Sequence, residues 1–187
     1  MKLKKAKSIG KKFIKRLAPY CERIEIAGSV RRGKPEVKDI EIVAQPTGKI
    51  IDRGIFGEDK TYAIYDRLGS MRDHHRYRFV KSGNRYYKIE IIKQDGSVLA
   101  LIDLFLVMPP AQWGVIYSIR TGPAAFSKWL VSVRKPFYSF KDGQLIHHIN
   151  GVLSTPEEKD VFNFLNIKYL TPHQRENEKL WKAKKLV

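Results

Sequence analysis

The stretch IAGSVRRGKPEVKDIEIVAQP, residues 26–46, decides the fold. An apolar run ends in Gly28-Ser29, arginines follow at 31 and 32, and Asp39 and Glu41 then stand one residue apart in a second apolar run. Side chains i and i+2 of a strand share a face. Asp39 and Glu41 are therefore expected side by side, with Ile40 and Ile42 on the opposite face. Adjacent acids repel, and burying either is costly unless a cation compensates. A third acid, Asp103, interrupts the apolar run LALIDLFLV, residues 99–107. Brought beside the other two, it would deepen the repulsion. A hard divalent cation relieves it, and an oxygen-only donor set suits Mg²⁺ or Mn²⁺. The bland alternative is an edge strand with its acids in water, with Asp103 paired to an arginine.

The preceding Gly-Ser turn weighs against that alternative. A turn of this kind leaving a strand exposes backbone N–H groups and a hydroxyl to phosphate oxygens. Arginine adds a charged fork. A phosphate cradle next to a metal pair fits a nucleoside triphosphate, and the reaction class it implies is nucleotidyl transfer.

Composition narrows the partners. The chain has 187 residues, 43% hydrophobic and 11% aromatic, enough for a packed core. Its 36 basic residues against 19 acidic ones give a net charge of +17, a long-range attraction for polyanions. Nucleic acid is the first candidate. No apolar run approaches the length of a spanning helix, and the lysine-rich start lacks the apolar segment of an export signal. An intracellular protein without membrane partners is expected, and a monomer is the default. The lone Cys21 excludes an internal disulfide and a cysteine-rich zinc site. The pairs His74-His75 and His147-His148 lack the spacing that puts two ligands on one helix face and read as surface or turn histidines.

Along the chain, residues 3–20 read as a basic amphipathic helix with Ile9, Phe13 and Leu17 on one face. Its first 16 residues carry no acid, which favours a phosphate-contacting surface over a solvated face. RIEIAG and DIEIVAQP read as strands. Residues 49–71 are expected to be loosely helical. YRFVKSGNRYYKIEIIKQDGSVLALIDLFLV reads as three strands with turns at 82–84 and 94–96. Pro109-Pro110 marks a boundary between residues 1–108 and 109–187. Beyond it, two helices flank RTGP, a hairpin turns at KDGQ, and a helix begins with Thr155 as N-cap and Pro156 at N1. The fold class expected is α+β.

The motifs GSVRRGKPEVKDIEIV and LIDLFLV resemble the nucleotidyltransferase superfamily, and the doubled arginine narrows the resemblance to the family X DNA polymerases. GVIYSIRTGPAAF is similar to that family's nucleotide-contacting segment, and GVLSTPEEKDVFNFLNIKYLTPHQRE to its C-terminal end. The resemblance spans residues 24 to about 176. It implies a palm, a mixed twisted sheet with helices on one face, followed by a small α/β C-terminal subdomain. It implies that Asp39, Glu41 and Asp103 hold two Mg²⁺ ions, with Mn²⁺ able to substitute, and that Asp103 helps deprotonate a primer hydroxyl. It assigns Gly28, Ser29, Arg32 and Lys38 to the triphosphate, Thr121 and Gly122 to the sugar and base pocket, and Ser127, Lys128 and Arg134 to the minor groove.

Three departures stand out. Glu41 replaces the family's Asp, and its extra methylene displaces the carboxylate. Ile119-Arg120 replaces an aromatic pair that excludes ribonucleotides, leaving Arg120 to contact a phosphate or the template. Ser127 replaces an Asn. Too few residues precede the first strand for the family's lyase domain. The implied activity is gap-filling DNA synthesis on primer-template DNA from deoxynucleoside triphosphates, in a repair setting. The alternatives are a nucleotidyltransferase that is template-independent or directed at RNA or protein, and a catalytically weak DNA-binding module.

Overall fold

The computed structural model of the chain describes residues 1–52 and 58–182. Helix α1, Leu3–Leu17, buries Ala6, Gly10, Phe13 and Leu17 on one face and leaves its lysines outside. A short 3₁₀ turn, Ala18–Tyr20, leads into β1, Cys21–Ile26. The Gly-Ser pair expected to form a turn instead opens a single-turn helix, α2, Gly28–Arg31. Strand β2, Ile40–Pro46, follows, with Ile40 and Ile42 fully buried as the alternation required.

The expected helix over 49–71 is corrected by the structure. Strands β3, Gly48–Asp52, and β4, Glu58–Tyr62, form a separate antiparallel ladder, with residues 53–57 outside the described residues. The helix, α3, is confined to Ile64–Arg72. GKIID and EDKTY lack the 3.6-residue apolar repeat of a helix, so cross-strand pairing supplies their backbone hydrogen bonds instead.

The three strands read from 77–107 are present: β5, Tyr77–Ser82, β6, Tyr86–Ile92, and β7, Val98–Leu106. The main sheet runs β1-β2-β7-β6-β5. Only β2 and β7 are parallel; the other neighbours are antiparallel, so the sheet is mixed. Helices α1 and α3 cover the face carrying Ile40, Ile42, Ile89, Ile102 and Leu104, and these form one core with Phe13, Leu17, Ile64 and Leu68.

After Pro109-Pro110 come α4, Trp113–Thr121, and α5, Ala124–Leu130, followed by β8, Tyr138–Lys141, and β9, Gln144–His147. A third strand, β10, Gly151–Leu153, extends this hairpin to three strands. Helix α6, Glu158–Phe164, starts later than expected. Its N-cap is Glu157, in a capping box with Asp160, while the predicted cap Thr155 is buried and bonded to Gln112. A 3₁₀ turn, His173–Glu176, and α7, Glu178–Lys182, close the described chain.

The architecture is α+β. A second core, built from Val115, Phe126, Leu130, Leu145, Phe162 and Trp181 among others, lies wholly after the Pro-Pro step. A small third cluster joins the halves: Trp113 and Tyr117 of α4 pack with Ala27 and Val43. Val43 lies on the sheet face opposite Ile42, so helices reach both faces, not one. No helix among the described residues is long and apolar enough to cross a membrane.

Candidate active site

The parallel register between β2 and β7 sets Glu41 directly across from Asp103. Glu41 and Asp103 therefore lie on the sheet face away from the core residues Ile40, Ile42 and Ile102. Asp39 lies just before β2, near enough to act electrostatically on Glu41. The repulsion among the three acids is visible in Glu41: burial, then Asp39 and Asp103, push its carboxyl from the ordinary 4.5 up to about 7, against the opposing pull of Arg32 and Arg120.

Gly28 explains where the Glu41 carboxylate rests. A Cβ built at Gly28 would stand 1.6 Å from Glu41 Oε2, and Gly28 has φ +57°. Only glycine both tolerates that backbone and leaves the carboxylate its space. The extra methylene of Glu41 is thus taken up by folding the side chain onto the α2 turn. Asp103 is held differently: the Tyr86 hydroxyl donates to its Oδ1 at 2.5 Å.

Arg120 closes the cluster from the end of α4. Its guanidinium lies 3.8 Å from the centroid of the Phe105 ring, which in turn stacks on Tyr86 at 5.0 Å. Burial pulls its pKa down, opposed by Glu41, Tyr86 and Asp103. A fixed cation thus stands over the acids, carried on an aromatic wall.

Glu41 and Asp103 face each other with Asp39 nearby, and carboxylate oxygens are donors of the kind a hard dication takes. Yet among the described residues no three acidic, histidine or cysteine side chains are assembled as a metal cage. Glu41 lies against Gly28, and Asp103 accepts the hydrogen bond from Tyr86.

The neighbouring arginines do not present a free cradle. Arg31 makes a two-bond fork to Glu158, donates to Thr121 Oγ1 and lies 3.9 Å from the Tyr117 ring centroid. Arg32, only 7% exposed, is ion-paired with Glu176 and donates to the Thr121 carbonyl at 2.8 Å. In this conformation Arg31, together with Arg32 of the residues assigned to the triphosphate, ties the two halves together. Thr121 is fully buried and serves as their acceptor. Gly122 is tight against Phe126 and Ser127. Ser29 is half-buried and Lys38 exposed, so both remain accessible.

The three residues assigned to the minor groove separate. Ser127 donates to the Ile119 carbonyl and Arg134 to the Leu165 carbonyl, so both tie backbone; Lys128 alone is exposed.

Glu158 and Arg175 escaped the sequence reading as a unit. Arg175 is fully buried, donating to Glu158 and to the Leu170 carbonyl, and Tyr169 donates a further hydrogen bond to Glu158. A local signal was present: Glu158 recurs with Val161, Phe162 and Leu165 at helical spacing, which places it on a buried face. Tyr86, Phe105 and Glu176 carried no such signal, since each acts through a partner set by tertiary register. No family model matches this sequence, and no curated protein matches it.

Proposed function

We propose that the protein is a template-directed DNA polymerase of the family X type, adding deoxynucleotides to a primer 3′-hydroxyl at a gap. The observation that carries this reading is the facing pair Glu41 and Asp103 on parallel neighbouring strands, with Asp39 beside them and the Gly28-Ser29 turn resting on the Glu41 carboxylate. Asp39, Glu41 and Asp103 would hold two Mg²⁺ ions, which when bound lower the pKa of an attacking hydroxyl and neutralise charge on a phosphoryl oxygen. Asp103 would accept the primer proton, the role the resemblance gives it. Ser29 and the α2 backbone would hold phosphate oxygens. Arg120, poised over Phe105, would face the nucleotide or template where the family carries aromatic groups. Basic residues outside the cleft would hold DNA by charge, so binding would fall steeply with salt.

A second reading, a DNA-binding module with a weak catalytic site, is favoured by the engagement of Arg31 and Arg32 with Glu158 and Glu176. One assay separates the readings. A labelled primer ending at a one-nucleotide gap is supplied with Mg²⁺ and each deoxynucleotide singly, with Asp103→Ala as control. Polymerase activity is expected as addition mainly of the complementary nucleotide by the wild type and none by the variant. Equal addition of all four nucleotides would reassign the protein to template-independent transfer. No addition with either Mg²⁺ or Mn²⁺, while Asp103→Ala binds DNA normally, would establish the binding module.

A further inference from the structure

The main sheet carries a second feature on its other face. A recess of about 350 Å³ lies between α1 and the ends of β5, β6 and β7. Its floor is apolar, from Ile9, Ile91 and Leu99, with the half-buried Tyr77 ring in its wall. Its rim is cationic, from Lys12, Arg16, Arg76 and Lys93. A second recess adjoins it, sharing Ile9, Lys12 and Leu99, and adds Lys2, Lys4 and Lys5. Neither recess is lined by a carboxylate. Asp95, close by, sits beside Lys93 and is hydrogen-bonded to Ser97. None of Lys2, Lys4, Lys5, Lys12 or Arg16 has an ion-pair partner among the described residues.

We infer that this trough is a binding track for single-stranded nucleic acid, on the face of the sheet opposite Glu41 and Asp103. A run of cations along one helix side, without acids among them, attracts a polyanion. The shape of the apolar part selects which one. A duplex presents phosphates and hides its bases, so the floor would gain nothing from it. A bilayer needs a protruding apolar surface, whereas here α1 turns its apolar side into the sheet and the remaining apolar groups lie at the bottom of a recess. An unpaired strand satisfies both parts, with phosphates on the rim and bases against the floor and wall. Arg16 stands 5.8 Å from the centroid of the Tyr77 ring, an aromatic-cation pair of the sort on which an exposed base stacks. The track is one helix long, about 22 Å for 15 residues at about 1.5 Å each.

The test is fluorescence anisotropy of a labelled oligothymidylate, with the full chain, across a salt series. Because any reduction in charge weakens binding to a +17 protein, two triple reversals are compared. One carries Lys12→Glu, Arg16→Glu and Lys93→Glu; the other carries Lys135→Glu, Lys141→Glu and Lys168→Glu, all exposed residues of the C-terminal half. The trough variant is expected to bind at least about tenfold more weakly, and its salt slope to fall by about 2, at roughly 0.7 for each phosphate no longer neutralised. The control is expected to change less than about threefold. Tyr77→Ala is expected to weaken binding by about tenfold with the salt slope unchanged, the mark of a missing stack. Circular dichroism checks that each variant is folded. Equal weakening in the two triples, or no binding of the oligomer by the wild type, would overturn the proposal, as would tight binding to phosphatidylserine vesicles without binding to the oligomer. Asp103→Ala is expected to bind the oligomer as the wild type does, so a failure of primer extension leaves this inference standing.

Discussion

Glu41 stores the tension of the acid cluster. Its folded pKa of about 7 lies above the ordinary 4.5 of an unfolded chain. Between those values the folded chain binds more protons than the unfolded one, so stability falls as pH rises from about 4.5 through about 7. In EDTA, the unfolding free energy from urea titration is expected to drop between pH 5 and pH 8, by on the order of 1–2 kcal/mol after allowing for screening of a half-buried group. Glu41→Gln is expected to flatten that profile, and Mg²⁺ at pH 8 to restore the wild type but not the variant. Glu158 runs the other way. Burial pushes its carboxyl up, but the hydrogen bonds from Arg31 and Arg175 win and hold it below the ordinary value. Its contribution is therefore present at neutral pH and lost as pH falls. Glu158→Gln leaves the fully buried Arg175 without its counter-charge. The expected loss is about 3–5 kcal/mol, read as a lowered urea midpoint at pH 7.

At the scale of elements, close backbone approach decides how α4 sits. A Cβ at Gly114 would lie 2.2 Å from the Glu157 carbonyl oxygen and 2.6 Å from that of Thr155. Replacing a helical glycine by alanine elsewhere gains up to about 1 kcal/mol. Here the neighbours are backbone and cannot swing aside, so Gly114→Ala is expected to cost about 1–3 kcal/mol in thermal or urea unfolding. Such close approaches also mark what was legible in the sequence. The strands of residues 77–107 could be read because side-chain alternation and turn residues are local signals. So could the burial of Ile40 and Ile42 on the face opposite Glu41, which follows from strand alternation. The paired strands β3 and β4 could not, because each of these short strands is specified by its partner. Neither could the engagement of Arg31 and Arg32, whose acceptors Glu158 and Glu176 lie 127 and 144 residues along the chain. A local reading assigned the pair to a phosphate because it directly follows the Gly28-Ser29 turn.

Across the whole molecule, the two cores are joined by these arginines, and that gives the tie a consequence for activity. Arg32 is paired with Glu176 and bonded to the Thr121 carbonyl, and Lys34 approaches the other Glu176 oxygen at 3.1 Å. If Arg32 serves a triphosphate as proposed, the nucleotide must compete with Glu176 for it. Glu176 is 27% exposed, so solvent screens the pair and reduces its worth to about 1 kcal/mol, less than a buried charged hydrogen bond. Glu176→Gln keeps the shape and removes the charge. It is expected to lower stability by about 1 kcal/mol and at the same time to lower the KM for deoxynucleotide by a factor of about five, since each 1.4 kcal/mol is tenfold. Both are measured on one preparation, by urea unfolding and by single-nucleotide gap filling. A stability loss with KM unchanged or raised would make Arg32 a structural tie only, and would move the phosphate-holding role to Ser29 and the α2 backbone. A fall in both would mean that the bond joining the halves is the bond the substrate breaks, so that nucleotide binding and loosening of the two cores are one event.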